Sequence, residues 1–225
     1  MDFSYGAYFD LLGELGHRFT LHPLCDFSVA SSRLYLRHDI DACPKRALAM
    51  AKEEARHGIS STYMFIPTCP LYSLSEETLR PFIDLGHEVA LHFDYRTSGV
   101  EPHGIEAEVE KQCALISALA GDEVRSISFH RPIEQFLRGP DYLFGLVNAY
   151  SATLMDCYRS DSGGQWRQDP RQVPEAPIVQ LLTHPIWWGQ EHQEPKERLV
   201  AYYVESGGGD ELSRMLADAA PRVWA

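Results

Sequence analysis

Four apolar runs along the chain each end in a residue able to bind metal or carry a proton. Leu34-Tyr35-Leu36 leads into Arg37-His38-Asp39-Ile40-Asp41, Val89-Ala90-Leu91 into His92, Ile127-Ser128-Phe129 into His130, and Val179-Gln180-Leu181-Leu182-Thr183 into His184. Buried parallel strands read as near-continuous apolar runs, and α/β proteins keep their chemistry at the carboxyl ends of such strands. The pattern therefore predicts one site built from several strand ends. Helical spacing fills the intervals. Tyr5, Tyr8, Phe9, Leu11, Leu12 and Leu15 before Gly16 predict a short outer helix, and Ala47, Ala51 and Ala55 after Pro44 predict a second. A third covers 75–85 with a kink or break at Pro81, and a fourth covers 102–120 with Ile105, Val109, Ile116 and Leu119 on one face. Residues 59–66 predict another strand, 141–149 a helix, 152–157 a strand, and 195–203 with 211–219 two closing helices. Residues 160–166 form a glycine-rich loop and 169–177 a proline-punctuated one. Strands alternating with helices imply a parallel sheet with helical crossovers, open or closed into a barrel.

Length and composition narrow this picture. A chain of 225 residues, 44% hydrophobic and 23% charged, fits a single domain over 1–225. Its 20 basic and 32 acidic residues leave a net charge of −12, which repels phosphate backbones and anionic lipid surfaces and argues against nucleic acid or membrane as the main partner. The amino terminus lacks the basic and apolar regions of a signal peptide, and no apolar run approaches the roughly 18 residues of a membrane span, so a cytoplasmic location is expected. Cys25, Cys43, Cys69, Cys113 and Cys157 are scattered, without the close pairs of a zinc ribbon or redox motif, and read as small hydrophobes.

Asp39 and Asp41 are two apart, so an extended backbone sends both to one face, where one carboxylate can hold a divalent metal while the other takes a proton from bound water. An isolated pair of this kind is more often a turn that caps the next helix, but three further histidine-tipped strands reverse that weighting. Neutral imidazole with carboxylate suits zinc and its neighbours, and three protein ligands leave a position for water. His38, opposite to Asp39 by alternation, reads as structural. Arg131 supplies a guanidinium able to orient a carboxylate. Trp187 and Trp188 beside His184 read equally as core or as a platform for a sugar ring. Asp161, in the loop with Trp166, holds Arg131, tunes His184 or stabilises its turn. His17, His22, His57, His103 and His192 have no partner pattern, and His87 opens its strand at the end away from the site.

These motifs resemble, in consistent order over about residues 34–188, those of the polysaccharide deacetylase superfamily, the NodB-homology domains of carbohydrate esterase family four. The resemblance implies a distorted (β/α) barrel, with Asp39 as general base, Asp41 and His92 as metal ligands and His184 as general acid. The family's second histidine falls at Arg96. One alignment lets His130 point into the site and complete the ligand set; the other makes Arg131 the family's strand-end arginine and turns His130 away. The first is adopted here, with Asp41, His92 and His130 holding a divalent metal, zinc first, and Arg131 orienting Asp39. Trp187, Trp188, Asp161, Trp166 and Arg96 are assigned to the substrate side. The wording of Arg37 to Asp41, of Ser128-Phe129-His130-Arg131-Pro132, of Ser160 to Trp166 and of Thr183-His184-Pro185-Ile186-Trp187-Trp188 is most similar to a deacetylase-like branch found with O-antigen biosynthesis. The activity so implied is metal-dependent removal of an N-acetyl or related acyl group from an amino sugar of a bacterial surface polysaccharide. Two alternatives stay open: a metal-independent cyclic imide or ureide hydrolase of the same superfamily, motivated by Arg96, and a non-catalytic sugar-binding protein in polysaccharide assembly.

Overall fold

The computed structural model describes residues 2–174 and 178–224. In chain order the elements are α1 (Tyr5–Gly16), β1 (Thr20–His22), β2 (Arg33–Ile40), α2 (Pro44–Arg56), β3 (Thr62–Phe65), α3 (Glu76–Asp84), β4 (Glu88–Phe93), α4 (Tyr95–Ser98), α5 (Ile105–Ala120), β5 (Ser126–Phe129), β6 (Tyr142–Leu143), β7 (Leu146–Asn148), α6 (Ala152–Asp156), β8 (Tyr158–Ser160), β9 (Ile178–Thr183), α7 (Pro195–Glu205), α8 (Asp210–Ala219) and α9 (Pro221–Trp224). They build one sheet in the order β6-β7-β5-β4-β3-β2-β9-β8, with β1 also on β2, parallel everywhere except the β6–β7 hairpin. The sheet curls into the distorted, open (β/α) barrel that was expected. Gln180 on β9 shows the curl directly, because its side-chain amide donates at 2.9 Å to the carbonyl of Ala149, just beyond β7 on the other arm of the sheet.

Alternation divides β2 between two environments. Leu34 and Leu36 face outward into a core with Tyr8, Leu11 and Leu15 of α1, and Ile40 into a second core with Ala47 and Ala51 of α2. Tyr35 faces the barrel interior with Met64, Ala90, Val147 and Ile178. Arg37 and Asp39 continue that inner row toward the carboxyl end, so the strand is buried along its length yet delivers charge inside the barrel. The register then pairs residues across strands. His38 lies beside Thr183, and His92 beside Ser128.

Two predicted elements are exchanged. Residues 141–149 form the β6–β7 hairpin, because Phe144 and Gly145 both take positive φ, 54° and 78°, the geometry of a two-residue turn that matches strand twist. Residues 152–157 are instead the helix α6, which Ser151 starts by accepting the Leu154 amide at 3.2 Å. Helix α3 runs through Pro81, and the predicted break does not occur. Strands β1 and β8 are short and gave no periodic signal. Of the proline-punctuated stretch, residues 175–177 lie outside the described residues. The five cysteines are free, Cys157 buried and the rest half-buried. Among the described residues no helix is long and apolar enough to cross a membrane.

Candidate active site

Arg37 and Asp39 are two apart on the inner face of β2, so their side chains meet. Nε of Arg37 donates to Oδ1 of Asp39 at 2.7 Å and Nη2 donates to Oδ2 at 2.6 Å, a fork-to-fork pair whose members are 0% and 3% exposed. Burial pushes the Asp39 carboxyl up, but the charges of Arg37 and then His92 outweigh it and hold it below the usual carboxylate range. The expectation that Arg131 orients Asp39 is thereby corrected. Arg131 donates instead to Asp94 at 2.7 Å and to Asp218 of α8 at 2.9 Å. The reason is position: Arg131 lies beyond β5, level with the end of β4, while Arg37 already saturates Asp39 from within the same strand.

Asp41, one residue past β2, is surrounded by imidazoles. Its Oδ1 lies 3.1 Å from Nδ1 of His130 and 3.3 Å from Nε2 of His92, and its Oδ2 lies 3.6 Å from Nε2 of His184. His92 Nε2 is also 3.4 Å from Asp39 Oδ2. Burial raises the Asp41 carboxyl, yet the charge and hydrogen bond of His130, with His92 and His184 behind them, bring it well below its ordinary value. Burial pushes the His92 imidazole down, against the pull of Asp39 and Asp41, whereas the Asp41 charge lifts His130 despite its burial.

One atom each from Asp41, His92 and His130 lie within 4.8 Å of one another, and His92 is anchored through Nδ1, 2.6 Å from Ser128 Oγ, leaving Nε2 for the cluster. Bonds of about 2.0–2.2 Å in tetrahedral geometry separate ligand atoms by roughly 3.3–3.6 Å, so this donor set fits a small divalent ion of the zinc kind. The sequence-expected trio is therefore together in space. Arg96 is not with them: it is exposed on α4, its backbone amide donating to Asp94 Oδ1 at 3.0 Å.

His184 and Asp161 form a second unit. Asp161 is completely buried and accepts from the His184 backbone amide at 3.0 Å and from the Trp188 indole N–H at 2.8 Å, while its Oδ1 lies 2.6 Å from His184 Nδ1. Burial pushes His184 down, but the bond to Asp161 and the charges of Asp161, Asp41 and Asp39 lift it to about 9. Asp161 thus serves His184, with no contact to Arg131 or to open space. The tryptophans are corrected as well. Trp187 and Trp188 are 4% and 1% exposed in the core with Phe3 and Tyr8, so neither offers a face to a sugar, and Trp166 packs half-buried on the same core.

The pocket over Asp41 holds about 280 Å³ and is bounded by His130, Cys69, Asp94, Arg131 and, from α8, Arg214 and Asp218. A second cleft of about 430 Å³ adjoins it at His130. Sequence reading missed Arg37, Asp94, Ser128 and Asp218. For Arg37 the signal was present, since i and i+2 on a strand share a face. Asp94, Ser128 and Asp218 depend on strand register and on how α8 docks, which no local pattern carries.

No protein-family model matches the chain, and no curated protein is similar in sequence at a significant level. Solved structures do match. A peptidoglycan deacetylase from Bacillus subtilis is 15% identical, with 88% of this chain covering 100% of that one at a TM-score of 0.50. A family 4 carbohydrate esterase from Streptomyces lividans is 14% identical over 83% of this chain and 88% of its own at a TM-score of 0.48. A family 4 pseudoenzyme from Bacillus anthracis is 13% identical over 77% of this chain at a TM-score of 0.47, and this chain spans 60% of that chain's length. The barrel described above is the fold of the Bacillus subtilis deacetylase.

Proposed function

We propose that the protein is a hydrolase of the family 4 carbohydrate esterase kind, removing an N-acetyl or related acyl group from an amino sugar of a bacterial surface polysaccharide or its precursor. In this reading Asp41, His92 and His130 hold a divalent metal, zinc first. When bound, such an ion polarises the acyl carbonyl and lowers the pKa of its water to about 7. Asp39, kept ionised by Arg37, takes the water's proton, its Oδ2 standing 3.4 Å from His92 Nε2 at the edge of the ligand set. His184, on the Oδ2 side of Asp41 and protonated up to about pH 9, gives a proton to the departing amine. Arg37 and Asp161 are the positioning residues of this pair, and Arg131 with Asp94 and Asp218 shapes the pocket wall.

One observation carries the reading: a single carboxylate, Asp41, is touched by three imidazoles, with an arginine-held carboxylate beside one and an aspartate-held imidazole as another. The metal-free alternative drew on Arg96 standing in a ligand's place, and the contact of His130 with Asp41 favours the metal-dependent one. Acetate release from N-acetylated glucosamine oligomers by the zinc-supplemented protein tests it. Asp39→Asn is expected to lower kcat by about 10²–10⁴ while keeping its metal, and Asp41→Ala to lose both metal and activity. Full activity after thorough chelation overturns the metal role; full activity of Asp39→Asn overturns the base.

A further inference from the structure

The cleft that shares His130 with the catalytic pocket is lined by Tyr150, Tyr158, Arg159 and Arg167 and, among the described residues, by no carboxylate. That is unusual chemistry in a chain of net charge −12. Arg159, on β8, donates from Nη1 to the Tyr158 carbonyl at 3.0 Å and from Nη2 to the Gln172 carbonyl at 2.8 Å, neutral acceptors, and has no ion-pair partner among the described residues. Its Nε is buried without a partner among the described residues. Arg167 is exposed at the cleft edge and has no ion-pair partner among the described residues. Arg138, next to the lining residue Leu137, holds a third guanidinium against the carbonyl of Met155 at 3.3 Å, again with no carboxylate among the described residues. Two other arginines, by contrast, are paired with carboxylates, Arg131 with Asp94 and Asp218 and Arg46 with Glu205.

A half-buried guanidinium held by carbonyls, as Arg159 is, can still take an anion from outside, and the planar fork of arginine fits the paired oxygens of phosphate or carboxylate. The cleft begins at His130, where the proposed reaction places the acyl group. A sugar entering there would carry its substituents past Tyr158 toward Arg159 and Arg167. We infer that the amino-sugar substrate bears an anionic substituent, a phosphate ester or a carboxylate, bound in this cleft by Arg159 and Arg167. The inference rests on the deacetylase reading and adds the class of substrate to it.

The test compares N-acetylglucosamine, N-acetylglucosamine 1-phosphate and the corresponding N-acetylamino uronic acid, by acetate release and by titration calorimetry at low salt, with wild type, Arg167→Ala and Arg159→Lys. Expected is a kcat/KM at least about tenfold higher for one charged sugar than for the neutral one, shrinking with added salt and falling toward one in Arg167→Ala. Whether phosphate or carboxylate is preferred names the anion, and either supports the inference. Equal turnover of charged and neutral sugars, or a preference untouched in both variants, overturns it. If no sugar is hydrolysed but a charged one binds at least about tenfold more tightly and loses that advantage in Arg167→Ala, the deacetylase reading falls and the anion cleft stands. If neither hydrolysis nor selective binding is seen, both fall.

Discussion

His184 shows how much one buried carboxylate can decide. Its Nδ1 lies 2.6 Å from Asp161 Oδ1, and that bond with the surrounding acidic charge lifts it to about 9 against the pull of burial. A group that must donate a proton is active below its pKa, so the rate should fall as pH rises through about 9. Asp161→Asn removes the charge that favours the imidazolium, and the alkaline limb of the kcat profile should move down by at least about one pH unit. An unshifted limb would mean that Asp161 does not tune this proton. Arg37 has the parallel part for Asp39. Burial without it would favour the protonated carboxyl, and because both nitrogens of the fork are engaged, lysine cannot replace it.

At the scale of elements, the loop after β8 matters more than its irregular sequence suggests. The Asp161 carbonyl accepts the Gly164 amide at 3.0 Å, and Gly164, at φ 70°, is pressed so that an added Cβ would meet Pro195 at 2.4 Å. Gly163 also has positive φ, 72°, but faces open space. Gly164→Ala should therefore destabilise by about 2–4 kcal/mol, left-handed strain plus overlap, and Gly163→Ala by only about 1–2 kcal/mol. Thermal unfolding of the two variants checks this, and equal shifts would remove the Pro195 contact from the account. The exchanged hairpin and helix carry the same lesson. Residues 141–149 are apolar enough for a helix, but a turn that can reach positive φ at two successive positions lets them pair as strands beside β5.

Across the whole molecule a buried polar cluster ties helices to sheet on the outer side of β2. Glu54 of α2 accepts hydrogen bonds from Tyr8 of α1, from Ser61 at 2.6 Å and from Tyr63 at 2.7 Å, and its Oε1 stands 3.0 Å from His38 Nε2. His38 Nδ1 in turn lies 2.7 Å from Thr183 Oγ1, one residue before His184, so the cluster also fixes where β9 delivers that histidine. Burial pushes the Glu54 carboxyl up, but His38 and the remaining donors bring it down to about 2. A carboxyl depressed by folding stabilises above its unfolded pKa of about 4.5 and loses that contribution as pH falls toward 2. The difference in melting temperature between wild type and Glu54→Gln should be constant above about pH 5 and shrink toward pH 2. A difference independent of pH would show that the cluster acts through shape alone.

Sequence by itself determined the strand-helix alternation, the inward row that makes Arg37 and Asp39 neighbours, and the strand-end placement of Asp41, His92, His130 and His184. Those follow from period-two and period-3.6 patterning, which is local physics. Tertiary structure alone decided the partners. Register set His92 against Ser128 and His38 against Thr183, the curl brought β9 across to Ala149, and the docking of α8 supplied Asp218 to Arg131. Burial likewise turned Trp187 and Trp188 from a possible sugar platform into core, and Asp161 from a loop residue into the anchor of His184. Such contacts join residues far apart in the chain, and the free energy that selects them comes from packing whole elements together.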